Sequence, residues 1–136
     1  MAKKNIKTFL GPNKGLSIIG SHCYAFSGNE ASSTTEKIVL EFNSGNDYIV
    51  GAFTFTGGAK LTTAVALGNT SVWRITLNGN IIALVKTETT NEDMPSSETY
   101  NIVLPPLTYV TIGLISDQND GAIFNSASLT GRVYDA

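Results

Sequence analysis

Residues 71–88 read SVWRITLNGNIIALVKTE. Two apolar, β-branched runs flank Asn78-Gly79, and this dipeptide adopts the positive φ values of a two-residue type I′ turn, so the stretch predicts a β-hairpin. Closing the turn there sets the pairs: Leu77 with Asn80, Thr76 with Ile81, Ile75 with Ile82, Arg74 with Ala83, Trp73 with Leu84 and Val72 with Val85. Side chains alternate across a strand, so one face carries Trp73, Ile75, Leu77, Ile82 and Leu84, which is a core surface. The opposite face carries Arg74 and Thr76 among Val72, Ile81, Ala83 and Val85. That face is too apolar to be meant for water alone, and something is expected to cover it.

Working outward, 136 residues fit one domain that can bury a core without metal or disulfide support. Isoleucine, valine and threonine account for 36 residues, and 13 glycines are scattered among them, which is a β composition. Cys23 is the only cysteine, so no disulfide forms within the chain, and the opening MAKKNIKTFL lacks the apolar segment of a secretory signal. Synthesis and folding in a reducing cytoplasm are the simplest expectation. No apolar run approaches the length of a membrane span, so no membrane partner is expected.

The formal net charge is −2, but it is unevenly placed. Lys3, Lys4, Lys7 and Lys14 stand in the first fourteen residues with no acid, whereas the remainder holds five basic residues against eleven acidic ones. A basic arm, residues 1–15, therefore precedes an acidic sandwich domain, residues 16–136. Such an arm is either a frayed terminus or a docking element for an acidic partner or a neighbouring copy of the same acidic domain, with Lys3, Lys4 and Lys7 supplying charge and Ile6, Phe9 and Leu10 supplying apolar anchors. Nucleic acid is the weaker partner, because four lysines without arginine or a repeated basic pattern are a thin footprint for phosphates.

Turn signals recur at intervals that suit short strands. LSIIGSHCYAF (16–26) reads as the first; KIVLEF (37–42) points Ile38, Leu40 and Phe42 inward; YIVGAFTF (48–55) aligns Ile49, Phe53 and Phe55. AKLTTAVAL (59–67), the hairpin, TYNIVL (99–104), LTYVTIGLI (107–115) and SASLTGRVY (126–134) complete about nine short antiparallel strands, with no helical period between them. This describes an all-β fold, a two-sheet β-sandwich. In IVLPPLTYVTIGL neither Pro105 nor Pro106 can donate to a ladder, so the chain turns a corner there. A strand that turns such a corner can cross between sheets, as in jelly rolls.

Chemistry is sparse. His22 and Cys23, neighbours on a strand, point to opposite faces and cannot act as base and nucleophile; Cys23 reads as a small buried hydrophobe. One histidine and one cysteine cannot assemble a zinc site within the chain. SDQNDG (116–121) offers Asp117, Asn119 and Asp120 as oxygen ligands, but its spacing does not match a calcium loop with a distal Glu, and it reads as a polar turn. TGG (56–58) lacks the helix and lysine of a phosphate loop. Neither catalysis nor a cofactor is expected.

Binding and assembly remain. A glycan-binding module gathers Trp and Tyr on one open face, but Trp73 lies on the expected core face and the tyrosines are spread over separate strands. An assembly protein needs broad, modestly apolar faces, which Val72, Ile81, Ala83 and Val85 supply and which Tyr109 and Thr111 extend. Another subunit is the expected cover for that face, and a second sheet or loop of the same chain is the alternative.

The short basic arm, WRITLNG (73–79), LPPLTYVTI (104–112) and the closing SLTGRVY (128–134) together resemble the jelly-roll decoration, or cement, proteins of tailed-phage heads. The resemblance covers most of the chain in architecture and carries no diagnostic motif. It implies a homotrimer on the outer surface of a virion, an arm or strand edge gripping the major capsid protein, and no catalysis. Other trimeric jelly rolls share the style, including the glycan- or receptor-binding heads of phage tail fibres, although a fibre head is expected to follow a longer shaft than this sequence contains.

Overall fold

The computed structural model describes residues 15–60, 69–89 and 95–136, together with the backbone of Lys7–Phe9. Eleven strands stand among these residues: β1 (Lys7–Phe9), β2 (Leu16–Ile19), β3 (His22–Phe26), β4 (Glu30–Ser32), β5 (Lys37–Asn43), β6 (Tyr48–Lys60), β7 (Thr70–Leu77), β8 (Asn80–Glu88), β9 (Ser96–Leu104), β10 (Tyr109–Ser116) and β11 (Asp120–Tyr134). The expected first strand is two, because Gly20 at φ 61° turns the chain between β2 and β3. β4 is a short addition beside β11, and most of AKLTTAVAL, residues 61–67, lies outside the described residues.

The strands form two antiparallel sheets. The larger runs β1-β2-β3-β11-β6-β9, and the smaller runs β5-β10-β7-β8. The pairings are nested: β7 with β8, β6 with β9, β5 with β10 and β3 with β11. The chain is thus one long hairpin, rolled so that successive pairs fall in alternate sheets, which is the jelly-roll topology. Its tip is the turn at Asn78 (φ 50°) and Gly79 (φ 83°), as the dipeptide requires. The tip is clasped to the start of β10: the Asn78 N–H donates to the Tyr109 carbonyl and the Tyr109 N–H donates to Asn78 Oδ1, both at 2.8 Å.

The proline corner does cross between sheets, since β9 ends in the larger and β10 begins in the smaller. Leu107 takes φ 58° there, a conformation that costs a branched side chain on the order of 1 kcal/mol. Hydrogen bonds to the β5–β6 connection hold it: Leu107 N–H donates to the Gly45 carbonyl at 2.6 Å, Thr108 N–H to Ser44 Oγ, and Ser44 Oγ to the Pro105 carbonyl.

The hairpin departs from its expected register after two pairs. Thr76 faces Ile81, but Ile75 faces Ala83, Arg74 faces Leu84, Trp73 faces Val85 and Val72 faces Lys86, because Ile82 is an extra residue in a β-bulge. Ala83 and Val85 therefore turn inward and pack against the core, whereas Ile82 and Leu84, expected inside, are exposed. A second shift, between Ile112 and Gly113, places Val39 and Leu40 both inside and leaves Ile38 exposed.

Between the sheets, Trp73 stacks on Phe55 at 5.1 Å between ring centres, and Phe55 on Phe53 at 5.9 Å, so the aromatic stack spans both layers. All three are fully buried, as the alternation of YIVGAFTF and of the hairpin predicts. The interior then changes character at one level. On β7 Ser71 precedes Trp73, on β8 Thr87 follows Val85, on β10 Ser116 follows Leu114, and on β11 Asn125 precedes Ala127, and these four polar side chains are buried. Trp73 Nε1 donates to Thr87 Oγ1 at 3.1 Å at this boundary.

Candidate functional site

Alternation places His22 and Cys23 on opposite faces, with His22 exposed and Cys23 buried. Burial pushes the Cys23 thiol up to about 11, so it stays protonated and unreactive at neutral pH. The oxygens of SDQNDG do not converge. Asp117 Oδ1 accepts from Thr70 N–H, Asn119 Oδ1 from Thr34 N–H and Asp120 Oδ1 from Ala122 N–H, each satisfying a separate backbone donor. Among the described residues no three His, Cys, Asp or Glu side chains gather as metal ligands, and no helix is long and apolar enough to cross a membrane.

The buried polar end is internally satisfied. Asn125 accepts from Gly58 N–H and Ser71 Oγ, and donates to the Glu30 carbonyl and Ser32 Oγ; Ser71 Oγ and Ser116 Oγ lie 2.9 Å apart. Its groups are occupied with one another and present nothing to a ligand.

The chain's outward surfaces are the two sheet faces. The side chains of the basic arm, Lys3, Lys4, Ile6, Lys7 and Phe9, lie outside the described residues; the backbone of Lys7–Phe9 pairs antiparallel with Leu16–Ile18 at the edge of the larger sheet. Of the expected interface residues on the smaller sheet, Ile81 and Tyr109 are exposed and Val72 and Thr111 half-buried. Ala83 and Val85 do not belong to that face, because the bulge at Ile82 turns them inward and presents Leu84 instead. The corrected face carries Leu84 at 62% exposure and Ile81 at 58%, with Ile38, Ile82 and Tyr109 near 40%. Part of its cover comes from the chain itself: Glu36 reaches across Gly113 to meet Arg74 Nη1 at 2.9 Å.

The larger sheet's outer face holds what sequence reasoning missed. Tyr48 stands opposite Tyr134, and Tyr24 lies beside Phe26 with ring centres 6.5 Å apart and planes inclined by 32°. All four are exposed on one face, together with Ile19, Val50 and Val103. The tyrosines are dispersed along the chain and meet only because β3, β11 and β6 are adjacent. Near its middle Gly51 and Gly131 face each other so closely that a Cβ on Gly131 would stand 2.7 Å from the Val50 carbonyl oxygen. On the outer face beside this pair lies an open depression of about 510 Å³ lined by Val50, Ala52, Asn101, Val103 and Thr130.

The protein is an all-β jelly roll with two open sheet faces. No protein-family model matches the chain, and no curated protein sequence matches it. Among solved structures it is similar to the VP2 subviral particle of infectious bursal disease virus (TM-score 0.45, 12% identity, covering 89% of this chain and 36% of that one) and to the Gt strain of that virus (TM-score 0.44, 12% identity, 92% and 37%). A family 35 carbohydrate binding module from Clostridium thermocellum is similar at TM-score 0.36 and 18% identity over 99% of this chain and 92% of that one. The chain spans about a third of the length of the viral proteins it matches.

Proposed function

We propose that this chain is a structural protein of a virus particle, a cement protein that sits on the outer surface of a phage head as a homotrimer and clamps the major capsid protein. The observation that carries the reading is the outer face of the smaller sheet, where Leu84, Ile81, Ile82, Ile38 and Tyr109 leave more apolar surface open than a face meant only for water. Burial of that face against a neighbouring copy suits a closed symmetric assembly, and three weak arm contacts per trimer would act together with an avidity none has alone. In this reading the chain needs no cofactor and carries no catalysis.

Sedimentation of the wild type and of Leu84→Glu tests it. The expected result is a trimer for the wild type and a folded monomer for the variant, since the charge would be buried in the interface. A wild-type monomer at all concentrations, or a variant trimer as stable as the wild type, overturns it. A second reading, a glycan- or receptor-binding domain, is favoured by the gathering of Tyr24, Phe26, Tyr48 and Tyr134 on the opposite face.

A further inference from the structure

Arg132 lies on the inner strand β11, two residues before its end, its side chain exposed on the outer face of the larger sheet, directly opposite His22 of β3. Two residues along each strand, Tyr24 stands opposite Thr130. No acidic residue occupies an outward position of β2, β3, β11, β6 or β9 around them; Asp47 and Asp135 stand just beyond the ends of β6 and β11 and have interactions of their own, and Arg132 has no hydrogen bond or ion pair among the described residues. By contrast, Arg74 on the other sheet has its carboxylate at 2.9 Å. The larger face thus holds a planar cation with its hydrogen-bonding fork unused, next to a pair of exposed aromatic rings.

A shallow hollow of about 260 Å³, lined by Ser17, Ile19, His22 and Tyr24, lies on one side of Arg132, and the larger depression bounded by Thr130, Val50 and Asn101 lies on the other. Each hollow has an apolar floor and a few hydroxyl, amide or imidazole groups at its rim. This mixture suits a ligand that is itself amphipathic, with C–H bonds to lay on an aromatic face and hydroxyls to donate and accept. A guanidinium at the centre selects for a carboxylate, which it binds through two parallel hydrogen bonds.

We propose that the outer face of the larger sheet binds an oligosaccharide bearing carboxylates, with Arg132 pairing a sugar carboxylate and Tyr24 stacking on a sugar ring. The proposal rests on the second reading above and names its ligand class and site. It is compatible with assembly through the smaller sheet, because the two faces lie on opposite sides of the sandwich.

Calorimetric titration with oligogalacturonate and sialyllactose, alongside neutral cello-oligosaccharide and lactose, tests it. At least one acidic sugar is expected to bind and its neutral counterpart to bind at least tenfold more weakly, with the acidic affinity falling as salt is raised. Arg132→Gln is expected to weaken acidic binding by about tenfold or more, and Tyr24→Ala by a similar factor; Arg132→Lys, which keeps the charge but loses the fork, should fall between. Both positions are exposed, so the melting temperature should not move. Equal binding of neutral and acidic sugars overturns the carboxylate assignment while leaving the glycan reading standing. Binding of no sugar overturns both. Unchanged affinity in Arg132→Gln, or a change in its oligomeric state, removes this face as the sugar site.

Discussion

The interior of the sandwich has two parts built on the same strands by different chemistry. Around Trp73, Phe55 and Phe53 the sheets are held by close-packed apolar surface, whereas one step further along β7, β10 and β11 they are held by Ser71, Ser116 and Asn125, hydrogen-bonded to one another and to backbone, with Thr87 of β8 accepting from Trp73 Nε1 at the boundary. The apolar part adapts to modest changes of shape. The polar part fails when any one partner is lost, because the remaining groups are left buried and unsatisfied.

The comparison can be tested hardest at Trp73. Trp73→Ala removes the ring that joins both sheets and strands Thr87 Oγ1, so it should cost about 3–5 kcal/mol, enough to unfold many domains of this size in urea titration. Trp73→Phe should retain a folded, weakened protein. Next comes Asn125→Leu, which keeps the branched arrangement of side-chain heavy atoms but cannot hydrogen-bond, and which leaves Gly58 N–H and Ser32 Oγ without that partner; a loss of about 1–3 kcal/mol by the same titration is expected. If Asn125→Leu were neutral or stabilising, the polar part would be packed by shape like the apolar one.

A third pair of variants reads the boundary between inside and outside. Compared at dilutions where both are monomeric, Ala83→Glu should lower stability, because Ala83 packs against the core, whereas Leu84→Glu should change it by no more than about 0.5 kcal/mol. Equal effects would mean that the bulge at Ile82 does not persist in solution. The effect of Cys23 is absent at neutral pH and confined to alkaline solution. Its thiol is raised from 9.0 to about 11 in the folded chain, so the unfolded chain loses its proton first as pH rises. Stability should therefore fall between about pH 9 and 11, and Cys23→Ser, compared by denaturation across that range, should lose this part of the slope.

The expected pairs of the hairpin hold at Leu77 and Thr76 and fail beyond them, for a physical reason visible in β8. Both parities of NIIALVKTE are apolar, Ile81, Ala83 and Val85 against Ile82 and Leu84, so hydrophobic pattern alone does not choose between them. The choice is made by the partner strand, since the small Ala83 and Val85 fit against the bulky Ile75 and Trp73 layer once Ile82 is set aside. KIVLEF hides its bulge at Val39 in the same way. By contrast, Asn78-Gly79, Trp73 and Pro105-Pro106 were readable because each acts through its own backbone or volume. The aromatic face of the larger sheet was not, because Tyr48 and Tyr134 become neighbours, and Tyr24 joins their face, only through pairings between distant parts of the chain.

Nested pairing also governs how the chain must acquire its structure. Ser27 and Ala127 exchange hydrogen bonds across 100 residues of chain, and such contacts cannot form early without a large loss of chain entropy. The β7–β8 turn, which closes over two residues, is the cheapest place to begin, and each pair closed outward from it shortens the loop that the next must close. Folding should accordingly be slow for a domain of this length. Substituting Gly79 by Ala should slow refolding more than it speeds unfolding, while a cut or permutation placed between β7 and β8 should delay folding far more than one placed near Gly20.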